Sequence, residues 1–388
     1  MRDGWVETKL VDAVEVLDRF RKPINSTERE GRQGSVPYYG ANGQAGWIDG
    51  SIFNEELVLL GEDAIDFADP NARKAYLISG PSWVNNHAHV LRAKSEKVYS
   101  YFLAESLNKV DYSQYVSFGT RSKLTQGSMN GIKVLLPPLH EQKRIVDLIS
   151  SVDAYIKALQ QKLESATKTR KAVLHELLSA GGLDWVASSL GQVSDVIGGG
   201  TPSTSIPEYW DGDIVWLTPT EITSRDGKVV VDSIRKISES GLKSSGAQML
   251  PRGSVLLTSR ASVGFAALSG TELCTNQGFQ SLVPNSSISA KFLMFWVQLN
   301  RSEFESRSAG STFKEISKSN VKSIKISVPP QLEQERIVEI TSSIDEVIEK
   351  TRCAIEEAKN LRRGLLSDLL SGEHEIPDSY DAIMDAQA

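Results

Sequence analysis

Two polar stretches carry the side chains of this sequence best suited to chemistry. Asn85-Asn86-His87-Ala88-His89 sets two imidazoles at a spacing of two. On a strand they would share a face, as a metal site wants. No acidic or cysteine partner stands nearby at ligand spacing, and Asn276-Gln277 occupies about the corresponding place in the second half of the chain. The favoured reading is therefore a polar edge that reads or braces something through Asn86, His87, Asn276 and Gln277. Gly198-Gly199-Gly200-Thr201-Pro202-Ser203 offers backbone amides that could cradle a phosphate, or simply makes a tight turn. Tyr38-Tyr39-Gly40-Ala41-Asn42-Gly43 is an aromatic, glycine-rich loop able to reach a groove; its plainer reading is a hairpin turn through Asn42-Gly43.

Cations gather around these loops. Arg19, Arg21, Lys22, Arg29 and Arg32 precede the Tyr-Tyr-Gly loop, and Arg121 and Lys123 follow in the same half. Arg225, Lys228, Arg260, Lys314 and Lys318 lie in the second half. Such groups on phosphates would give salt-dependent affinity, with sequence choice left to base-edge contacts. Enzyme signatures are missing: there is no G-x-x-x-x-G-K-[ST] loop, no Asn-Pro-Pro-Tyr or Asp-Pro-Pro-Tyr, and no G-x-G-x-x-G after a strand.

The elements that must position these loops come as a repeat. Pro137–Ser179 recurs without a gap as Pro329–Ser371, with Glu141-Gln142 answering to Glu333-Gln334 and Arg144-Ile145-Val146 to Arg336-Ile337-Val338. Within each copy apolar residues recur three and four apart (Ile145, Leu148, Ile149, Val152, Ile156; Ile337, Ile340, Ile344, Val347, Ile348), which predicts one long amphipathic helix per copy. Pro-Pro opens each helix, Gly181-Gly182 stops the first and Gly372 the second. At about 1.5 Å per residue each rod would be roughly 60 Å long. Each exposes a stripe most simply buried by packing on its copy. Trp5-Val6, Leu10 and Val16 recur as Trp185-Val186, Leu190 and Val196, so the domain-sized inserts also start alike. Short β-type runs broken by Gly, Asn and Asp give those inserts the texture of mixed α/β domains. The expected layout is a first domain over 1–136, a helical spacer over 137–182, a second domain over 183–328, a second spacer over 329–372 and an acidic, frayed tail over 373–388.

The net charge of −6 argues that any nucleic-acid affinity is local or completed by a partner. No run of apolar residues reaches membrane-spanning length, no h-region follows Met1, and Cys274 and Cys353 lack metal or redox spacing. A cytoplasmic chain with free thiols is expected.

Taken together, the doubled Pro-Pro-Leu-x-Glu-Gln-x-Arg-Ile-Val signature (Pro137–Val146; Pro329–Val338, with Gln331-Leu332 in place of Leu139-His140), Gly200-Thr201-Pro202-Ser203 with Tyr209-Trp210 and Trp216, and the Tyr38–Gly43 loop with Asn86-His87-Ala88 resemble the specificity subunits of Type I restriction-modification systems. The resemblance implies two α/β (α+β) target-recognition domains joined by two long antiparallel helices forming a coiled-coil spacer. Each domain would read one half of a split site on double-stranded DNA. It also implies no active site or cofactor in this chain, two methyltransferase subunits that supply S-adenosylmethionine, and motor-nuclease subunits that use ATP and Mg. DNA-contact candidates are Arg21, Lys22, Arg32, Tyr38, Tyr39, Asn42, Asn86, His87, Arg121 and Lys123 in the first domain. In the second they are Thr201, Ser203, Arg225, Arg260, Asn276, Gln277, Lys314 and Lys318. Glu141, Gln142, Arg144, Glu333, Gln334 and Arg336 are candidates for subunit docking, or for capping and pairing along their own helices. The competing readings are a coiled-coil adaptor without a DNA role, and a DNA methyltransferase or nuclease with unrecognised motifs.

Overall fold

The computed structural model describes residues 4–116, 122–310, 314–377 and 379–380. Two long helices, Leu139–Ser179 and Gln331–Ser371, begin directly after their Pro-Pro pairs. Gly181 and Gly372 take φ of +54° and +74° just beyond their ends, the left-handed conformation in which glycine carries no Cβ penalty.

The compact units do not follow the five expected segments. One unit comprises Met1–Leu159 with Ala354–Ala388, the other Gln160–Cys353, so each takes half of both long helices. The rods are thus built into the domains. In the first unit Ile145 and Ile149 from the first helix and Leu366 and Leu369 from the second join Leu10, Val58, Leu91, Phe102 and Leu103 in one buried cluster. In the second, Leu174 and Ile337 join Leu190, Val255, Leu282, Phe292 and Phe295. Each such side chain, fully buried, adds about 1.5–3 kcal/mol. Within each unit the helix halves run antiparallel: Asp153 meets Arg362 while Ile145 and Ile149 lie with Leu366 and Leu369, so one number falls as the other rises. Ile376 at the start of the acidic tail is buried in the first core, so the described part of that tail is anchored; Asp378, Asp381 and Asp385 lie outside the described residues.

The first domain holds β1 (Val6–Lys9), β2 (Val14–Val16), β3 (Val36–Gly40), β4 (Gly43–Ile48), β5 (Phe53–Asn54), β6 (Leu57–Gly61), β7 (Ala75–Ile78), β8 (Pro81–Val84), β9 (Ala88–Ala93) and β10 (Lys133–Leu136). The second holds β11 (Val186–Ser189), β12 (Ser194–Gly198), β13 (Trp210–Leu217), β14 (Val229–Val230), β15 (Arg235–Ile237), β16 (Val255–Leu257), β17 (Ala266–Ser269), β18 (Cys274–Thr275), β19 (Gln280–Pro284) and β20 (Lys325–Val328). Their sheets correspond. β1–β10 and β11–β20 close each domain, β2-β9-β6-β7 matches β12-β19-β16-β17-β14, and β4-β3-β8-β5 matches β15-β13-β18. The fold is α+β, mostly antiparallel, with the pairs β3–β8, β13–β18 and β14–β17 parallel.

Candidate nucleic-acid interface

The parallel pairs β3–β8 and β13–β18 deliver the same hub of loops in both domains. β3 pairs β8 with Tyr39 opposite Val84, and β13 pairs β18 with Leu217 opposite Thr275. The next residue in each case is an asparagine. The Asn85 N–H donates to the Tyr39 carbonyl at 3.0 Å, and Asn85 Oδ1 accepts from the His87 N–H at 2.8 Å. The His87 carbonyl accepts from the Glu62 N–H, and the Glu62 carbonyl from the Leu124 N–H, both at 2.8 Å. In the second domain the Asn276 N–H donates to the Leu217 carbonyl at 3.0 Å and Asn276 Oδ1 accepts from the Gly278 N–H at 2.8 Å. The Gly278 carbonyl accepts from the Ser259 N–H at 2.7 Å, and the Ser259 carbonyl from the Ile316 N–H at 3.0 Å. An Asx turn leaving a parallel strand therefore knits the same loops together twice, although little of the side-chain sequence agrees. At its apex stand Asn86 and Gln277, both exposed.

Indole donors hold the segment beside each hub. Trp83 Nε1 donates to the Lys22 carbonyl at 2.9 Å. In the second domain Trp216 Nε1 donates to the Gly200 carbonyl at 2.9 Å and Trp210 Nε1 to the Ser203 carbonyl at 3.0 Å. Lys22-Pro23 and Thr201-Pro202 are presented in this way, both Lys22 and Thr201 exposed. The glycines before Thr201 serve close approach: a Cβ on Gly199 would fall 2.2 Å from the Thr275 and Asn276 carbonyl oxygens, and one on Gly200 2.3 Å from Gly246. The Gly200 N–H is bound to the Thr275 carbonyl, so the phosphate-cradle alternative does not hold for that amide.

Several candidates sit elsewhere than expected. Tyr38 is 2% exposed, inside a cluster with Ile48 and Trp83, and cannot face a groove. Strand alternation turns Tyr38 inward and leaves its half-buried neighbour Tyr39 6.1 Å from the Tyr76 ring. His87 and His89 do not share a face, because the strand starts only at Ala88. His87 is exposed and pairs with Asp63, whereas His89 is 1% exposed. Its Nδ1 lies 2.6 Å from Asp18 and its Nε2 2.9 Å from the Leu124 carbonyl, so the ring is held from both sides inside the domain. Among the described residues no cluster of His, Cys, Asp and Glu could hold a metal.

The expected cations divide into engaged and available. Arg21 bridges Glu62 at 2.7 Å and the Ala88 carbonyl at 2.9 Å, so it works as an internal brace. Arg32 is tied to Asp49 and lies over the Trp83 ring, Arg225 donates to the Asp232 carbonyl, Arg260 pairs with Glu315 and Lys123 with Glu62. Lys22, Lys314 and Lys318 are exposed and make no ion pair among the described residues. Asn42 is exposed and donates to the Ala64 carbonyl, Ser203 is exposed beside Ser205, and Arg121 lies outside the described residues.

Glu62 ties the first hub to its cations. Burial opposes its charge, but hydrogen bonds from Lys123 and Arg21 and the neighbouring His89 outweigh that and hold the carboxyl below its ordinary value of 4.5. A carboxyl depressed in this way contributes stability that is present above the ordinary glutamate range and lost as pH falls through the folded value. Glu62→Gln is accordingly expected to lower the melting temperature at about pH 7 and to lose most of that deficit near about pH 3. A deficit that persists in acid would contradict this.

The signature at each helix start is a joint between rod and domain. Gln142 is fully buried: its Nε2 donates to the Lys97 and Pro137 carbonyls, both at 2.9 Å, and its Oε1 accepts from the Tyr99 N–H at 3.1 Å. Gln334 repeats this with the Ser287 and Pro329 carbonyls at 3.0 and 2.9 Å and the Ser289 N–H at 2.7 Å. These glutamines are on no exposed face, which removes them as docking residues, and they do not cap their own helices. Trp5 Nε1 donates to Glu141 at 3.2 Å and Trp185 Nε1 to Glu333 at 2.9 Å. Arg144 is half-buried and Arg336 exposed.

Midway along, Arg362 reaches Asp153, Glu105 and Tyr101, while Arg170 reaches Asp345 and Gln298 and stands over the Phe295 ring. Beside each clamp the helix halves leave an apolar groove. In the first unit Leu148, Val152 and Tyr155 face Ala354, Ala358 and Leu361. In the second Ile344 and Val347 face Lys162, Ala166 and Thr169. Tyr155, Leu361 and Val347 are 56%, 57% and 43% exposed.

Residues 2–168 and 182–359 match the family described as the Type I restriction modification DNA specificity domain. The MjaIX specificity subunit of a Type I restriction enzyme from Methanocaldococcus jannaschii is 34% identical over 171 residues, 44% of this chain and 40% of that protein. The EcoR124I/EcoR124II specificity subunit from Escherichia coli is 28% identical over 214 residues, 53% of this chain and 52% of that one. The chain thus aligns with about half or less of the length of these two relatives. The Type I restriction-modification S subunit from M. genitalium superposes with a TM-score of 0.59 at 14% identity, covering 94% of this chain and 96% of that one; at that identity the likeness is one of fold.

Proposed function

The chain belongs to the Type I restriction-modification DNA specificity family, and from that premise we propose that it is the sequence-reading subunit of a Type I restriction-modification complex. Each domain reads one half of a bipartite site on double-stranded DNA, through the hub built on Asn85 or Asn276. The observation that supports this best is the hub itself, the same backbone frame carrying different side chains twice. Such a frame suits a reader, because phosphate contacts can position the domain while variable apex and rim residues choose bases. Catalysis is assigned to partners: methyltransferase subunits would bring S-adenosylmethionine and take the target adenine out of the stack, and motor-nuclease subunits would bring ATP and Mg. Cytoplasmic residence goes with that assignment.

The docking surface proposed for the methyltransferases is the pair of grooves beside the Arg–Asp clamps. Two equivalent apolar grooves fit two identical partners. This replaces the signature glutamines, which are buried.

The test is co-expression with the cognate methyltransferase subunit in a methylation-free host, followed by mapping of N6-methyladenine. One bipartite motif with a fixed unread spacer is the expected result. A soluble complex that marks no motif would overturn the proposal. The rods are expected to act as a ruler. Inserting about one heptad into both helices, between Leu159 and Gln160 and between Cys353 and Ala354, keeps each helix near its phase and each clamp within its unit. It should lengthen the unread spacer and leave both half-sites unchanged; an unaltered spacer would refute the ruler.

A further inference from the structure

We propose that the two apex carboxamides, Asn86 and Gln277, are equivalent base readers, each recognising an adenine edge in the major groove of its own half-site. The inference rests on the DNA-reading function proposed above and assigns one residue per domain to the direct contact. Its basis is placement. The hydrogen-bond frame puts Asn86 and Gln277 at the same position, directly after the Asx-turn asparagine and before the residue whose carbonyl closes the hub. The turn fixes their main chain while leaving both side chains exposed.

Chemistry narrows the role. A carboxamide has one acceptor and a donor pair side by side, the complement of adenine N6 and N7, and Asn and Gln make that bidentate pair more readily than other side chains. It carries no charge with which to hold a phosphate. The Asn86 side chain makes no hydrogen bond among the described residues, so its bonding capacity is unspent. The Gln277 carboxamide is steadied by the Thr201 hydroxyl, itself on the segment held by Trp216 and Trp210. Pre-orientation of that kind lowers the cost of ordering a long side chain on binding. One exposed lysine per domain, Lys22 in the first and Lys314 in the second, is available to hold a phosphate of its half-site.

The experiment compares methylation motifs written by the complete complex carrying wild-type chain, Asn86→Ala, Gln277→Ala or Asn86→Asp. The melting temperature of each variant and its co-purification with the methyltransferase subunit report folding. With wild-type chain the bipartite motif must appear; if it does not, the DNA-reading proposal itself has failed. Given that motif, Asn86→Ala should relax one A·T position in one half-site, discrimination there falling roughly 5- to 150-fold, the other half staying strict. Gln277→Ala should do the same in the opposite half. Asn86→Asp, which loses the donor pair, should weaken the same adenine. Motifs left strict by both alanine variants would overturn the inference, as would relaxation at a G·C pair. An equal fall in methylation at every site by a folded, partner-bound variant would also overturn it, since that is the mark of a phosphate contact.

Discussion

Gln334→Ala is expected to destabilise the second unit by about 2–4 kcal/mol, a large part of the margin of an ordinary domain. The carboxamide is 1% exposed and engages one backbone N–H and two backbone carbonyls. Alanine leaves the Ser289 N–H and the Ser287 and Pro329 carbonyls without that partner, and an orphaned buried group costs more than a hydrogen bond returns. Gln334→Glu keeps the size but offers acceptors to two carbonyls, so it should be as harmful at neutral pH. Urea unfolding monitored by tryptophan fluorescence would show the change, since Trp185, Trp210, Trp216 and Trp296 all lie in that unit. A midpoint within error of wild type would mean the joint carries no energy. Gln142→Ala is expected to do the same to the first unit.

The second large effect concerns Arg362. Burial works against its charge, yet hydrogen bonds to Asp153 and Glu105 hold the guanidinium above its usual value. The Tyr101 phenol is pushed up by burial and by its bond to Asp153. Removing the arginine leaves two carboxylates and a phenol facing one another. A fully buried pair broken this way would cost about 3–5 kcal/mol; with Asp153 38% exposed, about 2 kcal/mol is expected for Arg362→Ala. Lysine will not rescue it, since one ammonium cannot reproduce the guanidinium fork. Arg170→Ala should cost less, because Arg170 faces one carboxylate and an aromatic ring where Arg362 faces two carboxylates. Equal losses in the two variants would show that the second carboxylate contributes nothing.

The rods were legible because a 3.6-residue period repeated over forty residues leaves little room for another reading. The hub was half legible. Asn276-Gln277 could be set beside the Asn-Asn-His run, but the Asx turn that makes them equivalent depends on strands distant in sequence. Tyr38 misled because two adjacent tyrosines on a strand must face opposite ways, and nothing local says which is buried. The glutamines misled because a polar residue early in a helix ordinarily faces water. A signal was present: the pair Glu141-Gln142 is repeated as Glu333-Gln334 while the residues flanking the pair differ, His140 against Leu332 and Lys143 against Glu335. The sharing of each helix between two units had no local signature at all.

That sharing bears on how the protein is born. The first recognition domain is translated early, yet its core is sealed by Leu366, Leu369 and Ile376, and Gly372 sits so close that a Cβ there would lie 3.5 Å from the Trp5 ring. Until those residues leave the ribosome, the core around Ile145 and Ile149 is incomplete, and the contacts that close the domain are among the most distant in the chain. The reader synthesised first is therefore the last to be completed. A premature stop after Cys353 would spare the unit made second and cripple the one made first.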